Sequence, residues 1–95
     1  MALLSDEEIE AKLAQRDGWE LQGKAISKRF GCGDFVGSVK FVSSLVEPAE
    51  AMGHHPDVEI SWDTVTVTIS THSEGGLTGA DFELAEKVDA LSPTS

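Results

Sequence analysis

Two runs of strictly alternating residues constrain this chain more than any other feature. They are Val58-Glu59-Ile60-Ser61-Trp62 and Thr64-Val65-Thr66-Val67-Thr68-Ile69-Ser70. A period of two puts every apolar side chain on one side of a strand. The second run is rich in β-branched residues, which fit a pleated, half-buried surface. Asp63 lies at the join, so the pair reads as a hairpin. One face carries Val58, Ile60 and Trp62 with Val65, Val67 and Ile69, and this alternation places Trp62 in the core. The other face is threonine, serine and glutamate. A sheet with one apolar and one polar face needs helices on its apolar side only.

The remaining chain supplies that layer and two more strands. Ser5 can cap a first helix with Glu8 as its capping-box partner, and Leu4 can staple onto Ile9. Ile9 and Leu13 share a face, the acids of the first turn suit the helix dipole, and the helix is expected from Asp6 to Gln15. Asp17-Gly18 is a turn signal. Trp19 to Gln22 alternates like a half-buried strand, with Trp19 in the core. Gly23-Lys24 turns the chain, and Ala25 to Phe30 returns it as a second hairpin. Gly31-Cys32-Gly33 ends that strand, and Asp34 can cap the next helix. Phe35, Val36, Val39, Val42, Leu45, Val46, Ala49 and Met52 form one broad apolar stripe. Pro48 lacks the N–H for the carbonyl of Ser44, so a kink or local break is expected there. Gly53 is a natural stop. Thr78 can cap a last helix with Asp81 in the capping-box position, and Leu84, Ala85, Val88 and Leu91 give its core stripe. Ser92 to Ser95 reads as a frayed tail. The order is α-β-β-α-β-β-α: an α+β fold with a four-stranded antiparallel sheet and three helices packed on one face, in a single domain over residues 1–95.

Ninety-five residues can build one modest core. The single cysteine, Cys32, excludes an internal disulfide and gives no sign of an oxidising compartment. The start MALLSDEEIE has no basic region followed by an apolar run, so no secretory signal is expected. No apolar run approaches the ~20 residues of a membrane helix. A soluble, cytoplasmic protein is the expectation. Seventeen acids against seven bases give a net charge of −10. Such a surface repels phosphates and argues against binding nucleic acid.

All three histidines, His54, His55 and His72, lie between Glu50 and Asp81, at element ends around the second hairpin. A single histidine there reads as a dipole partner or strand-end residue. Three together at such positions point to function, since loops and element ends carry functional groups. A zinc site would need these imidazoles with Glu50 or Asp57. Their spacing matches no standard zinc signature, and no metal is expected. No serine sits in a recognisable nucleophile turn. Acid–base catalysis by imidazoles fits better. Each such proton transfer contributes typically ~10²–10⁴-fold, and the chemistry suits elimination of water.

The series Glu50, His54-His55-Pro56, Trp62, His72 and Asp81, with three, five, nine and eight residues between successive members, resembles the signature of the pterin-4a-carbinolamine dehydratases. The likeness extends over nearly the whole chain, through Gly18-Trp19, Phe30, Phe41, Thr71-His72 and Gly76-Leu77-Thr78. The family's element order is the one derived above. The resemblance implies removal of water from 4a-hydroxytetrahydropterin to give quinonoid dihydropterin, with no metal or redox cofactor. It also implies a small-molecule pterin partner and a homodimer or homotetramer built partly through the long helix. By the same carry-over, His54 and His72 are the acid–base pair, and His55 orients the ring. Asp81 hydrogen-bonds an imidazole or the substrate as well as capping its helix. Glu50 matches a family position but also reads as solvated helix surface, and Trp62 flanks the pocket if it is not core. Pro48 and Cys32 depart from the family pattern, which leaves the assembly state open and does not touch the histidines. Some relatives also act as dimerisation cofactors of a transcription factor. That role would use an exposed apolar helix surface rather than histidines. A pterin-binding role in another pathway is a further alternative.

Overall fold

The structure, a computed structural model, describes residues 2–93. The predicted Thr94 and Ser95 end of the tail lies outside them. The elements run α1 (Asp6–Leu13), β1 (Glu20–Gln22), β2 (Ala25–Gly31), α2 (Phe35–Ser44), α3 (Val46–Met52), β3 (Asp57–Ser61), β4 (Thr64–Ile69), a 3₁₀ turn (His72–Glu74) and α4 (Gly79–Leu91). All strand pairs are antiparallel, in the order β1-β2-β4-β3.

Register makes the alternation physical. Val65 and Val67 of β4 face Phe30 and Lys28 of β2 on one side, and Ile60 and Val58 of β3 on the other. Val65, Val67 and Ile69 have no exposed surface, while Thr64, Thr66 and Thr68 of the same strand are half-buried on the opposite face. The helices therefore lie over one face, as the alternation requires. Trp19, Ile26, Phe30, Phe41, Leu45, Leu77, Phe82, Leu84, Ala85 and Val88 complete the core, with Leu4, Ile9 and Leu13 packed against it. Phe30 stacks edge-on with Trp19 and tilted against Phe41. Among the described residues no helix is long and apolar enough to cross a membrane.

The helix ends follow their predicted chemistry. Ser5 and Glu8 form a reciprocal capping box on α1. The Ser5 backbone N–H and hydroxyl both hold the Glu8 carboxylate below its ordinary pKa. The α1 helix stops at Leu13 rather than Gln15, because the Gln15 and Arg16 N–H groups bond three residues back in a tightening turn. Asp34 caps α2 through the Gly37 N–H at 2.7 Å. Ser92 is not frayed. It is buried, and its Oγ donates to the Asp89 carbonyl.

The long helix breaks as expected, but at Leu45, three residues before Pro48, giving α2 and α3. Pro48 cannot bond the Ser44 carbonyl, but in the first turn of α3 its missing N–H costs nothing. The stripe is also out of phase. Phe35 (57% exposed), Val36 (60%) and Val46 (60%) face outward, and Val39 is exposed too. The inward row is Ser38, Phe41, Leu45 and Ala49. The apolar arc is wider than the sheet can cover, so periodicity alone did not locate its buried centre.

Trp62 is the other correction. It is neither strand nor core. It starts the two-residue turn between β3 and β4, at φ 51°, and is 69% exposed. Positive φ is uncommon and costly for a side chain of this size. Two hydrogen bonds of 2.7 Å hold the turn: Ser38 Oγ donates to the Trp62 carbonyl, and the Cys32 N–H donates to that of Asp63.

Candidate active site

The antiparallel hairpin decides where the histidines go. Asp57 at the start of β3 pairs with Thr68 near the end of β4. His54 and His55 precede β3 and His72 follows β4, at the same end of this ladder. The two segments that carry imidazoles therefore lie at one end of the hairpin, and Trp62 lies at the other. The resemblance placed Trp62 at the pocket's flank, but its side chain is exposed at the far tip.

His54 enters the site because α3 ends in front of it. Gly53 takes the left-handed conformation, and the His54 N–H bonds back to the Ala49 carbonyl at 3.0 Å. The chain then turns through Pro56 into β3. The His54 side chain is mostly buried, and its Nε2 lies 2.6 Å from Asp81 Oδ1. Asp81 has no exposed surface. Its Oδ2 accepts from Thr71 Oγ1 and from the Thr78 N–H, each at 2.8 Å. Asp81 thus caps α4 and grips an imidazole with the same carboxylate. A carboxylate can only accept, so Nε2 must be the protonated nitrogen of His54. Nδ1 is left as the nitrogen able to exchange a proton.

His55 stands apart from this network. It is exposed, and its Nε2 pairs with Glu50 Oε2, also exposed, one helical turn back on α3. This pair borders a cavity of about 190 Å³ that Val42, Leu45, Val46, Ala49, Pro56 and Val58 also line, without His54 or His72. His72 begins the 3₁₀ turn and is exposed, with Nε2 3.4 Å from Ser70 Oγ. Its loop is closed by a bridge between Thr71 and Gly76. Among the described residues no three His, Cys, Asp or Glu side chains are placed to hold a metal ion.

Sequence reasoning missed the hydroxyls. Thr71 appears there only as the neighbour of His72, and Thr78 only as a cap. The spacing from Thr71 to Asp81 carries no local signal, because a loop closes it. It also missed Asp89, where Trp19 Nε1, Lys28 Nζ and Arg16 Nη1 converge at 3.0, 2.8 and 3.4 Å. That cluster ties the chain after α1, and strand β2, to α4.

Comparison with known proteins places the chain among related sequences and folds. The sequence profile of the family described as pterin 4 alpha carbinolamine dehydratase matches residues 2–91. A Roseiflexus castenholzii protein with a provisional pterin-4-alpha-carbinolamine dehydratase name is 48% identical over 90 residues, covering 95% of this chain and 97% of its own. A Picosynechococcus protein with the same provisional name is 49% identical over 88 residues, covering 93% and 96%. The crystal structure of a transcriptional coactivator/pterin dehydratase from Brucella melitensis superposes with a TM-score of 0.89, at 34% identity, over 95% of this chain and 98% of that one. A pterin dehydratase-like protein identified as a RuBisCO assembly factor in the alpha-carboxysome superposes with a TM-score of 0.68, at 30% identity, over 82% and 93%. The profile match over nearly the full length, on a fold with the same strand order and helix layer, means that this chain belongs to the pterin-4a-carbinolamine dehydratase family.

Proposed function

We propose that this protein dehydrates 4a-hydroxytetrahydrobiopterin to the quinonoid dihydropterin, in the cytoplasm, as part of tetrahydrobiopterin recycling. The observation that carries the reading is the buried His54–Asp81 pair at 2.6 Å. A carboxylate that holds one ring nitrogen leaves the other in a defined state for proton transfer. In the reaction, the C4a–O bond breaks as a donor protonates the departing hydroxyl. The N5 proton is lost, and the N5 lone pair forms the new double bond to C4a. His54 and His72 are the acid–base pair, and His55 with Glu50 orients the ring from the α3 side. Asp81 acts through His54. Trp62, at the far hairpin tip, takes no part in this reading.

The test is dehydration of the synthetic carbinolamine followed by absorbance. His54→Ala and His72→Ala are expected to lose about 10²–10⁴-fold in kcat, the worth of one positioned proton transfer. Rates equal to wild type in both variants would sink the enzyme reading. The exposed Phe35, Val36, Val39 and Val46 support a second, compatible reading. Phe35, Val36 and Val39 lie on α2 and Val46 opens α3, so the exposed apolar patch spans the break between the two helices. The occupant we infer is a second copy of this chain, giving a homodimer or homotetramer. The Brucella protein is described as a transcriptional coactivator as well, and the same patch would serve such a partner. In that case the protein would bind through α2 and remain unaffected by His54→Ala.

A further inference from the structure

We propose that Thr71 is the positioning residue that sets both candidate catalytic imidazoles, through its side chain for His54 and through its backbone for His72. The proposal deepens the dehydratase reading and rests on it for its kinetic arm. The Thr71 hydroxyl donates to Asp81 Oδ2 at 2.8 Å, while Asp81 Oδ1 takes His54 Nε2. Thr71 Oγ1 also lies 2.9 Å from Thr78 Oγ1. A hydroxyl has one proton, and Asp81 takes that of Thr71. The contact between the threonines therefore needs Thr78 to donate. The result is a chain in which the Thr78 O–H donates to Thr71 and the Thr71 O–H donates to Asp81, while the His54 N–H donates to the same carboxylate from the other side. Each link polarises the next in a buried setting.

The backbone of the same residue builds the loop that starts with His72. The Thr71 N–H bonds the Gly76 carbonyl at 3.0 Å. Its own carbonyl accepts from Glu74 at 3.0 Å, Gly75 at 3.1 Å and Gly76 at 3.4 Å. Four hydrogen bonds thus pin the root of the His72 turn at the residue whose side chain orients His54 through Asp81. Asp81 Oδ2 keeps the Thr78 N–H in any variant of Thr71, so the capping box survives. What Thr71→Val removes is the second donor to Oδ2 and one hydrogen-bond partner of the Thr78 hydroxyl.

The experiment combines imidazole ¹⁵N NMR with dehydratase kinetics on wild type, Thr71→Val and Thr71→Ser. Wild-type His54 is expected as the Nε2–H tautomer. Thr71→Val is expected to loosen the Asp81 carboxylate so that the His54 ring leaves it in part of the population, which adds the Nδ1–H tautomer to the ¹⁵N spectrum and lowers kcat by about 10- to 100-fold with KM little changed, the scale on which outer partners that orient a working imidazole act. Thr71→Ser keeps the hydroxyl and is expected to restore both readouts. A Thr71→Val variant with wild-type ¹⁵N shifts and wild-type kcat would overturn the proposal, as would a wild-type His54 found as the Nδ1–H tautomer. If Thr71→Val does not fold, Thr71→Ala supplies the variant without a hydroxyl for both readouts, with the same expected and overturning results. If wild type itself leaves the carbinolamine intact, the dehydratase reading fails, and the ¹⁵N comparison alone still tests whether Thr71 positions His54.

Discussion

His54 and His55 are neighbours in sequence, yet their carboxylate partners sit in opposite physical settings. Asp81 is buried and accepts three hydrogen bonds, whereas Glu50 and His55 form an exposed pair with both side chains more than half in water. A buried acceptor that loses its complement costs about 1–3 kcal/mol, and an exposed ion pair contributes about 0–1 kcal/mol. Asp81→Asn replaces one acceptor oxygen with a donor. It must then face either the His54 N–H or the donors Thr71 and Thr78 wrongly. We expect it to lower stability by about 1–3 kcal/mol, with Glu50→Gln within about 1 kcal/mol of wild type. Urea unfolding midpoints of the two variants would show this, and equal midpoints would contradict it. A bond from Asp81 to an imidazole was implied by the family resemblance, whereas its position alone implied only a helix cap. The matching role of Thr71 was implied by neither, because it depends on a loop bringing residues ten apart onto one carboxylate.

Among the elements, the least forgiving join is the one between β2 and α2. A Cβ built on Gly37 would lie 2.2 Å from the carbonyl oxygen of Cys32. That oxygen is backbone, held by a strand end whose Cys32 N–H is bonded to the Asp63 carbonyl at 2.7 Å. It cannot swing aside as a side chain would. Gly37→Ala is therefore expected to destabilise the fold by about 1–3 kcal/mol despite the better helix propensity of alanine. A thermal unfolding midpoint at or above wild type would show that the join relaxes. The caps on α1, α2 and α4 were readable because each depends on residues within one turn. The phase of the α2 stripe was not. An apolar arc covering more than half a helix has no unique buried centre until the sheet beneath it chooses Phe41 and Leu45.

At the scale of the whole molecule, an acidic surface and an exposed apolar patch oppose each other. Copies with a net charge of −10 repel, while Phe35, Val36, Val39 and Val46 gain by leaving water. Salt screens the first over about 10 Å at 0.1 M and leaves the second in place. Association in sedimentation experiments is therefore expected to strengthen with added salt and to fall in Val39→Lys. A mass unchanged by both would remove the α2 patch as the assembly surface. The sequence by itself determined the element order, the polar and apolar sides of the sheet and most helix caps, because each depends on neighbours within a few residues and on a fixed backbone period. Only the tertiary structure decided that Trp62 turns the hairpin tip in solvent, that four valine and phenylalanine side chains stay uncovered, and that Thr71 and His54 meet on Asp81. Those outcomes depend on which surfaces remain to be covered once the sheet has closed, and no local pattern carries that.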